Sequence, residues 1–131
     1  MRLLLDTQVA LFALADPEKL TAQAHDLIAD PRNAVFVSVI SLWEISLKHG
    51  LAPTGAARMP IDGARAAELF QRAGYEMIDL TPAHVLFAEG LPMLHPDPFD
   101  RLLAAQALSE PMRLLTRDAR MAAYSDAIVR V

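Results

Sequence analysis

Short apolar runs alternating with longer helical segments constrain this chain more than any other feature. Residues 3–6 (LLLD) and 33–39 (NAVFVSV) read as buried strands, and residues 75–80 (YEMIDL), 113–116 (RLLT) and 127–131 (AIVRV) as three more. Between them, residues 7–15 read as a helix capped by Asp6 or Thr7, and residues 20–31 (LTAQAHDLIADP) as a second, closed by Asp30-Pro31. Residues 40–50 read as a third helix ending at Gly50, and 61–74 as a fourth with Gly74 past its end. A Thr-Pro pair opens a helix over 81–90; 98–109 make the next, and 119–124 a short last one. Residues 51–60 (LAPTGAARMP) and 91–98 (LPMLHPDP) are proline-marked loops. Strands that alternate with helices need crossover connections. The expected fold is therefore α/β: a mainly parallel central sheet of four or five strands flanked by helices. Ligands of such sheets bind beyond the carboxyl ends of the strands, and Asp6 stands at one of those ends.

Composition narrows the class. With 131 residues, 53% of them hydrophobic, the chain has the length and apolar content of a single domain spanning 1–131. Mean hydropathy is +0.25, yet no apolar stretch approaches the ~20 residues of a membrane helix, so no membrane association is expected. Met1-Arg2 leads straight into a strand-like run without a small-residue cleavage site, and there are no cysteines; the cytoplasm is the expected compartment. The net charge of −4 is not the footprint of a nucleic-acid binder, so a phosphate substrate would need a local basic patch or a metal ion.

Four acids sit at strand ends, in first turns or beside apolar helix faces. Asp6 follows the first strand and Asp118 follows RLLT; each by itself reads as a helix cap. Glu44 borders the apolar stripe of its helix and stands four residues before Lys48, a spacing that gives an ion pair of about 0.2–0.5 kcal/mol. In PDPFDRLLAAQAL, Asp97 reads as N-cap, Pro98 as N1 and Asp100 as N3; the face Asp100 shares with Leu103, Ala104 and Ala107 is wholly apolar, where a lone carboxylate is costly. Acids converging on one sheet edge repel unless a cation sits among them, and oxygen ligands suit Mg²⁺ or Mn²⁺. The histidines at 25, 49, 84 and 95 are scattered and no cysteine is present, against a zinc site. His25 and His84 are expected on helix surfaces, and His49 and His95 near the acids but solvated rather than ligating.

These residues resemble the PIN-domain ribonucleases, in particular the VapC-type toxins of type II toxin–antitoxin pairs. LLLDT at 3–7 resembles the first strand and first acid of that family. VSVISLWEISLKHG at 37–50 resembles the segment of the second acid, HPDPFDRLLAAQAL at 95–108 that of the third, and LLTRD at 114–118 the last motif. The resemblance implies a PIN-like three-layer sandwich and a metal-dependent endoribonuclease in which Asp6, Glu44, Asp100 and Asp118 hold Mg²⁺ or Mn²⁺. It also implies Thr7, Ser38, Asp97 and Thr116 as partners around the carboxylates, and Arg101, Arg117 and Lys48 as contacts to the RNA backbone. An acidic enzyme of this kind would bind RNA weakly without metal and lose affinity steeply with salt. A homodimer and a cognate antitoxin, carrying an Arg or Lys to the acids, are the implied partners.

Three other readings fit less well. A structure-specific DNA nuclease of similar fold normally needs helical additions for which this chain is short. A receiver-like Mg²⁺-binding signalling module needs paired acids after the first strand, and LLLDTQ has one. An aspartyl-phosphate phosphohydrolase needs Asp-x-Asp, and Gln8 stands where the second Asp would be.

Overall fold

A computed structural model describes residues 1–51 and 59–131; residues 52–58 of the expected 51–60 loop lie outside the described residues. The elements are β1 (Arg2–Leu5), α1 (Thr7–Ala15), a 3-10 turn (Pro17–Lys19), α2 (Ala22–Ala29), β2 (Ala34–Ser38), α3 (Val39–Leu51), α4 (Gly63–Arg72), β3 (Glu76–Ile78), α5 (Pro82–Glu89), α6 (Pro98–Ser109), β4 (Arg113–Thr116), α7 (Ala119–Ala122) and β5 (Ile128–Arg130). The expected strands and helices form, several of them a residue or two shorter at each end than the sequence suggests. The 3-10 turn is an addition; α3 runs one residue beyond Gly50.

Local chemistry sets most helix starts. The Asp6, Thr21, Asp62, Thr81, Asp97 and Asp118 side chains each accept a backbone N–H of the first turn that follows. Thr81 and His84 form a reciprocal capping box, with Pro82 at the first helical position. After α4 the chain reverses at Gly74, whose φ of +82° a side-chain-bearing residue rarely adopts.

All four strand pairings are parallel, in the order β3-β2-β1-β4-β5. β1 is central: Leu4 pairs with Phe36 on one side and with Leu114 on the other. Its leucines alternate between two cores. Leu3 and Leu5 join Val37 and Leu115 against Val9 of α1, Ile45 of α3 and Phe70 of α4. Leu4 joins Leu114 against Leu103, Ala104 and Ala107 of α6 and Met121 of α7. All three leucines are fully buried, each contributing about 1.5–3 kcal/mol by area removed from water. A strand buried on both faces reads as an unbroken apolar run, which is why LLL precedes Asp6. The result is an α/β sandwich of three layers.

The chain builds the sheet outward from β1, first to β2 and β3, then on the other side to β4 and β5. The order therefore reverses between β1 and β4, where an open parallel sheet leaves a crevice beyond its carboxyl ends.

Candidate active site

The β1–β4 ladder extends one step past the strands, with the Asp6 amide donating to the Leu115 carbonyl at 3.0 Å. Beyond that point opens a cleft of about 560 Å³. Asp6, Glu44, Asp100 and Asp118, brought from four elements, line it together with Asp97, Lys48 and Arg117. Five carboxylates thus face two cations among the described lining residues.

Asp6 is 7% exposed and caps α1, accepting from the Val9 amide at 2.8 Å. Burial pushes its carboxyl above the usual range and the nearby Glu44 charge adds to this, against hydrogen bonds from the Thr116 hydroxyl and the Val9 and Arg117 amides. Thr116 accepts the Asp118 amide at 3.0 Å, leaving its proton for Asp6 or the Met121 sulfur 3.5 Å away; the carboxylate is the stronger acceptor. Thr116 therefore ties the first acid to the fourth.

Glu44, 5% exposed, projects from α3. Lys48 donates to its Oε2 at 2.6 Å, the i,i+4 pair legible in the sequence. The Thr7 hydroxyl lies 2.7 Å from its Oε1 and 2.9 Å from the Ser41 hydroxyl. One hydroxyl has one proton, so Thr7 donates to the carboxylate and accepts from Ser41. Ser41, buried and a neighbour of Glu44 at helical spacing, faces the acid three positions further along α3.

Asp100 occupies the first turn of α6, where Asp97 accepts the Phe99 and Asp100 amides at 2.8 and 3.2 Å. Burial, then the charges of Asp97, Asp6 and Glu44, raise the Asp100 carboxyl to about 7, against a lowering contribution from His95. For Asp118, burial acts upward but is outweighed. Hydrogen bonds from the Arg120 guanidinium and amide and from His95 hold it at about 2.

His95 is 2% exposed and stands between these two acids, 3.0 Å from Asp100 and 2.8 Å from Asp118. The solvated role expected for it is overturned: its amide donates to the Tyr124 hydroxyl and its ring accepts the Asp97 amide, a placement no helical or strand period signals. His84, expected on a helix surface, is also 2% exposed, because α5 packs that face on α6 and pairs it with Glu110. His25 lies on the surface as expected.

Two other expected residues sit elsewhere. Ser38 does not reach the carboxylates; it donates to Gln106 at 2.6 Å and accepts the Ile40 amide at 3.0 Å. Gln106 is fully buried on the apolar face of α6, and a lone amide among alanines was the signal for such a partner. Arg101 does not line the cleft. Its guanidinium, instead of meeting RNA, binds the carbonyls of Ala88, Leu91 and Pro92 and the Tyr124 hydroxyl. Lys48 and Arg117 do line the cleft, with Arg117 stacked 5.3 Å over the Phe12 ring.

The arrangement fits a hard divalent cation. The four acids offer carboxylate oxygens, and two of them, Asp6 and Asp100, are raised by burial and mutual repulsion, the signature of negative charge in want of a counter-ion. One oxygen each of Asp100 and Asp118 and a ring nitrogen of His95 all lie within 4.8 Å of one another, so the two acids meet closely enough to share one ion.

No curated protein matches the chain significantly in sequence. Among solved structures, it is similar to VapBC2 from Rickettsia felis bound to a DNA fragment from its promoter, with a TM-score of 0.68 at 19% identity over 100% of this chain and 98% of that one. It is also similar to FitAcB from Neisseria gonorrhoeae, with a TM-score of 0.58 at 18% identity over 98% and 96% of the two chains. At those identities the likeness is one of fold. The PIN domain family model matches residues 3–127, from β1 through α7 and ending just before β5, and this chain belongs to the PIN domain family.

Proposed function

We propose that this chain is a Mg²⁺- or Mn²⁺-dependent endoribonuclease, the VapC-type toxin of a toxin–antitoxin pair, working as one domain in the cytoplasm. The observation that carries the reading is the convergence of Asp6, Glu44, Asp100 and Asp118 on one cleft at the point where strand order reverses. PIN domains are in general metal-dependent nucleases, and the donor set here is of the matching kind. The four acids would hold the ion, directly or through water. A divalent ion so held supplies a water of lowered pKa and stabilises charge developing on a phosphate. Thr7 fixes the Glu44 carboxylate, and Thr116 links Asp6 to the Asp118 backbone. Asp97 caps the helix that presents Asp100. Lys48 and Arg117 stand at the rim to meet the RNA backbone, where they and the ion offset the net charge of −4. Among the described residues no helix is long and apolar enough to cross a membrane.

Exposed apolar side chains support the partners. Trp43, next to the second acid, is 59% exposed in a groove of about 570 Å³ with Leu80, Phe99 and Leu102, a bed for the apolar side of an antitoxin segment. The fold similarity to VapBC2 and to FitAcB favours a cognate antitoxin here. A homodimer would cover the outer face of α5.

Incubating the purified chain with total RNA and Mn²⁺, with and without EDTA, and mapping new ends tests the activity. Cleavage should need the ion and disappear in Asp100→Asn. Cleavage that survives both EDTA and Asp100→Asn would refute it.

A further inference from the structure

His95 stands outside the four acids, yet it is buried against two of them and held by several bonds. Its Nδ1 accepts the Asp97 amide proton at 3.1 Å. A ring nitrogen that accepts carries no proton, so the hydrogen-bond partners place the imidazole proton on Nε2. That Nε2–H donates to Asp118 Oδ2 at 2.8 Å, and Asp100 Oδ2 lies 3.0 Å from the same nitrogen. One ring nitrogen therefore stands against both acids, hydrogen-bonded to the one in the turn after β4 and in contact with the one on α6. The ring is also fixed through its own backbone: the Tyr124 hydroxyl accepts the His95 amide at 3.1 Å, and Arg101, four residues past the cap of α6, donates to the same hydroxyl at 3.1 Å. Arg101 further clasps the Ala88 carbonyl at 2.9 Å and the Pro92 carbonyl at 3.1 Å, pinning the segment that leads to His95. This is a built support, with every member buried or bonded to backbone.

The same geometry speaks against the imidazole as a ligand. Holding a cation through Nε2 would need that lone pair free and the proton on Nδ1, where it would meet the Asp97 N–H head-on.

We propose that His95 is a positioning residue: its Nε2–H, oriented by the Asp97 amide, sets the Asp100 and Asp118 carboxylates for a divalent cation without itself coordinating the ion. The proposal rests on the metal-dependent reading above and assigns a role distinct from that of the four acids, a ring N–H held in place by backbone and facing two of them. Groups that orient metal-binding side chains commonly change metal affinity 10- to 100-fold when removed.

Two substitutions separate the ring nitrogens. His95→Asn keeps an acceptor near the Nδ1 position but does not reach the acids; His95→Gln extends an amide N–H to about the Nε2 position. Mn²⁺ affinity of the full chain, measured by calorimetry, should fall about 10- to 100-fold in His95→Asn and be largely restored in His95→Gln. The visible spectrum of the Co²⁺-loaded chain should be the same in wild type and His95→Gln, because all ligands are oxygens in both. Circular dichroism verifies folding, and should His95→Asn fail to fold, the His95→Gln affinity and spectrum decide. The proposal is overturned by a His95→Asn chain that binds Mn²⁺ as wild type does, by a His95→Gln chain as weak as His95→Asn, or by a Co²⁺ spectrum that changes in His95→Gln as a nitrogen ligand is lost. Wild-type chain that binds no Mn²⁺ overturns the metal reading itself, a different failure, and this proposal with it.

Discussion

Asp100 concentrates the electrostatic conflict of the cleft. Burial and then Asp97 raise its carboxyl from 3.8 to about 7 in the folded chain, so the folded state binds this proton more tightly than the unfolded state does. Stability linked to the group is therefore greatest below pH 4 and is lost as pH rises from about 4 to about 7, by roughly 2–4 kcal/mol without metal. A bound divalent cation takes the proton's place, so its stabilising effect should be larger above pH 7 than below pH 5. Urea unfolding in EDTA should show wild type losing stability between pH 5 and pH 8 relative to Asp100→Asn, and Mn²⁺ should recover wild type at pH 8 while leaving Asp100→Asn nearly unchanged. Parallel pH responses of the two chains would remove Asp100 as the seat of the strain.

At the residue scale Asp6 and Asp118 each read alone as a cap and Glu44 as an ion pair, while Asp100 breaks a wholly apolar face; the convergence of all four on one sheet edge made them stand out. The residues misread are those whose partners lie far along the chain. Ser38 meets Gln106, 68 residues away, and His84 meets Glu110, 26 away. Arg101 looked like a free cation beside an acid, yet its partners are backbone carbonyls of a preceding loop, which carry no sequence mark. A period of 3.6 or 2 tells which face a residue takes, not whether that face is covered by another polar group.

At the scale of elements, helix starts were the most legible feature, because a cap is a local interaction between residues two or three apart. α6 is the clearest case, and there the cap and the charge of Asp97 act in opposite directions. Asp97→Ala loses the cap on two amides, a cost of about 1 kcal/mol. Asp97→Ser keeps the cap and removes the second-largest cause of the raised Asp100 carboxyl. In EDTA at pH 8, Asp97→Ser should be at least as stable as wild type and Asp97→Ala less stable than Asp97→Ser, by urea denaturation; the reverse order would mean that the cap is not what Asp97 supplies. What the sequence does not announce is how closely elements approach. A Cβ at Gly63, the first residue of α4, would lie 2.2 Å from the Ser46 hydroxyl and 3.2 Å from the Leu42 carbonyl on α3. The hydroxyl can turn away only by giving up its bond to Leu42, and the carbonyl cannot move without α3, the helix that carries Glu44. Gly63→Ala should cost about 1–3 kcal/mol of stability and weaken Mn²⁺ binding at the same time; a neutral result would show that α4 can slide.

For the whole molecule, strand–helix alternation was enough to give a parallel sheet with covered faces, and hence the edge at which to look for the acids. It does not say which helix faces stay uncovered, and that decides assembly. α5 turns His84 and Ala88 inward and leaves Val85, Leu86 and Phe87 at 47%, 65% and 40% exposure, with Met93 and Leu94 of the next segment at 74% and 45%. Lone apolar residues on a surface are ordinary, but a cluster of five on one helix and its exit is what partner interfaces look like. If a second copy covers this face, as proposed, sedimentation should find a dimer at micromolar concentration. Leu86→Glu should dissociate it, since a carboxylate buried in an apolar interface has no partner there. Because Leu86 is mostly exposed, its replacement should change the unfolding free energy of the isolated protomer by no more than about 0.5 kcal/mol, which separates lost assembly from lost folding. Dimers that persist in both Leu86→Glu and Phe87→Glu would move the interface off α5, and the groove beside Trp43 would become the surface to test next.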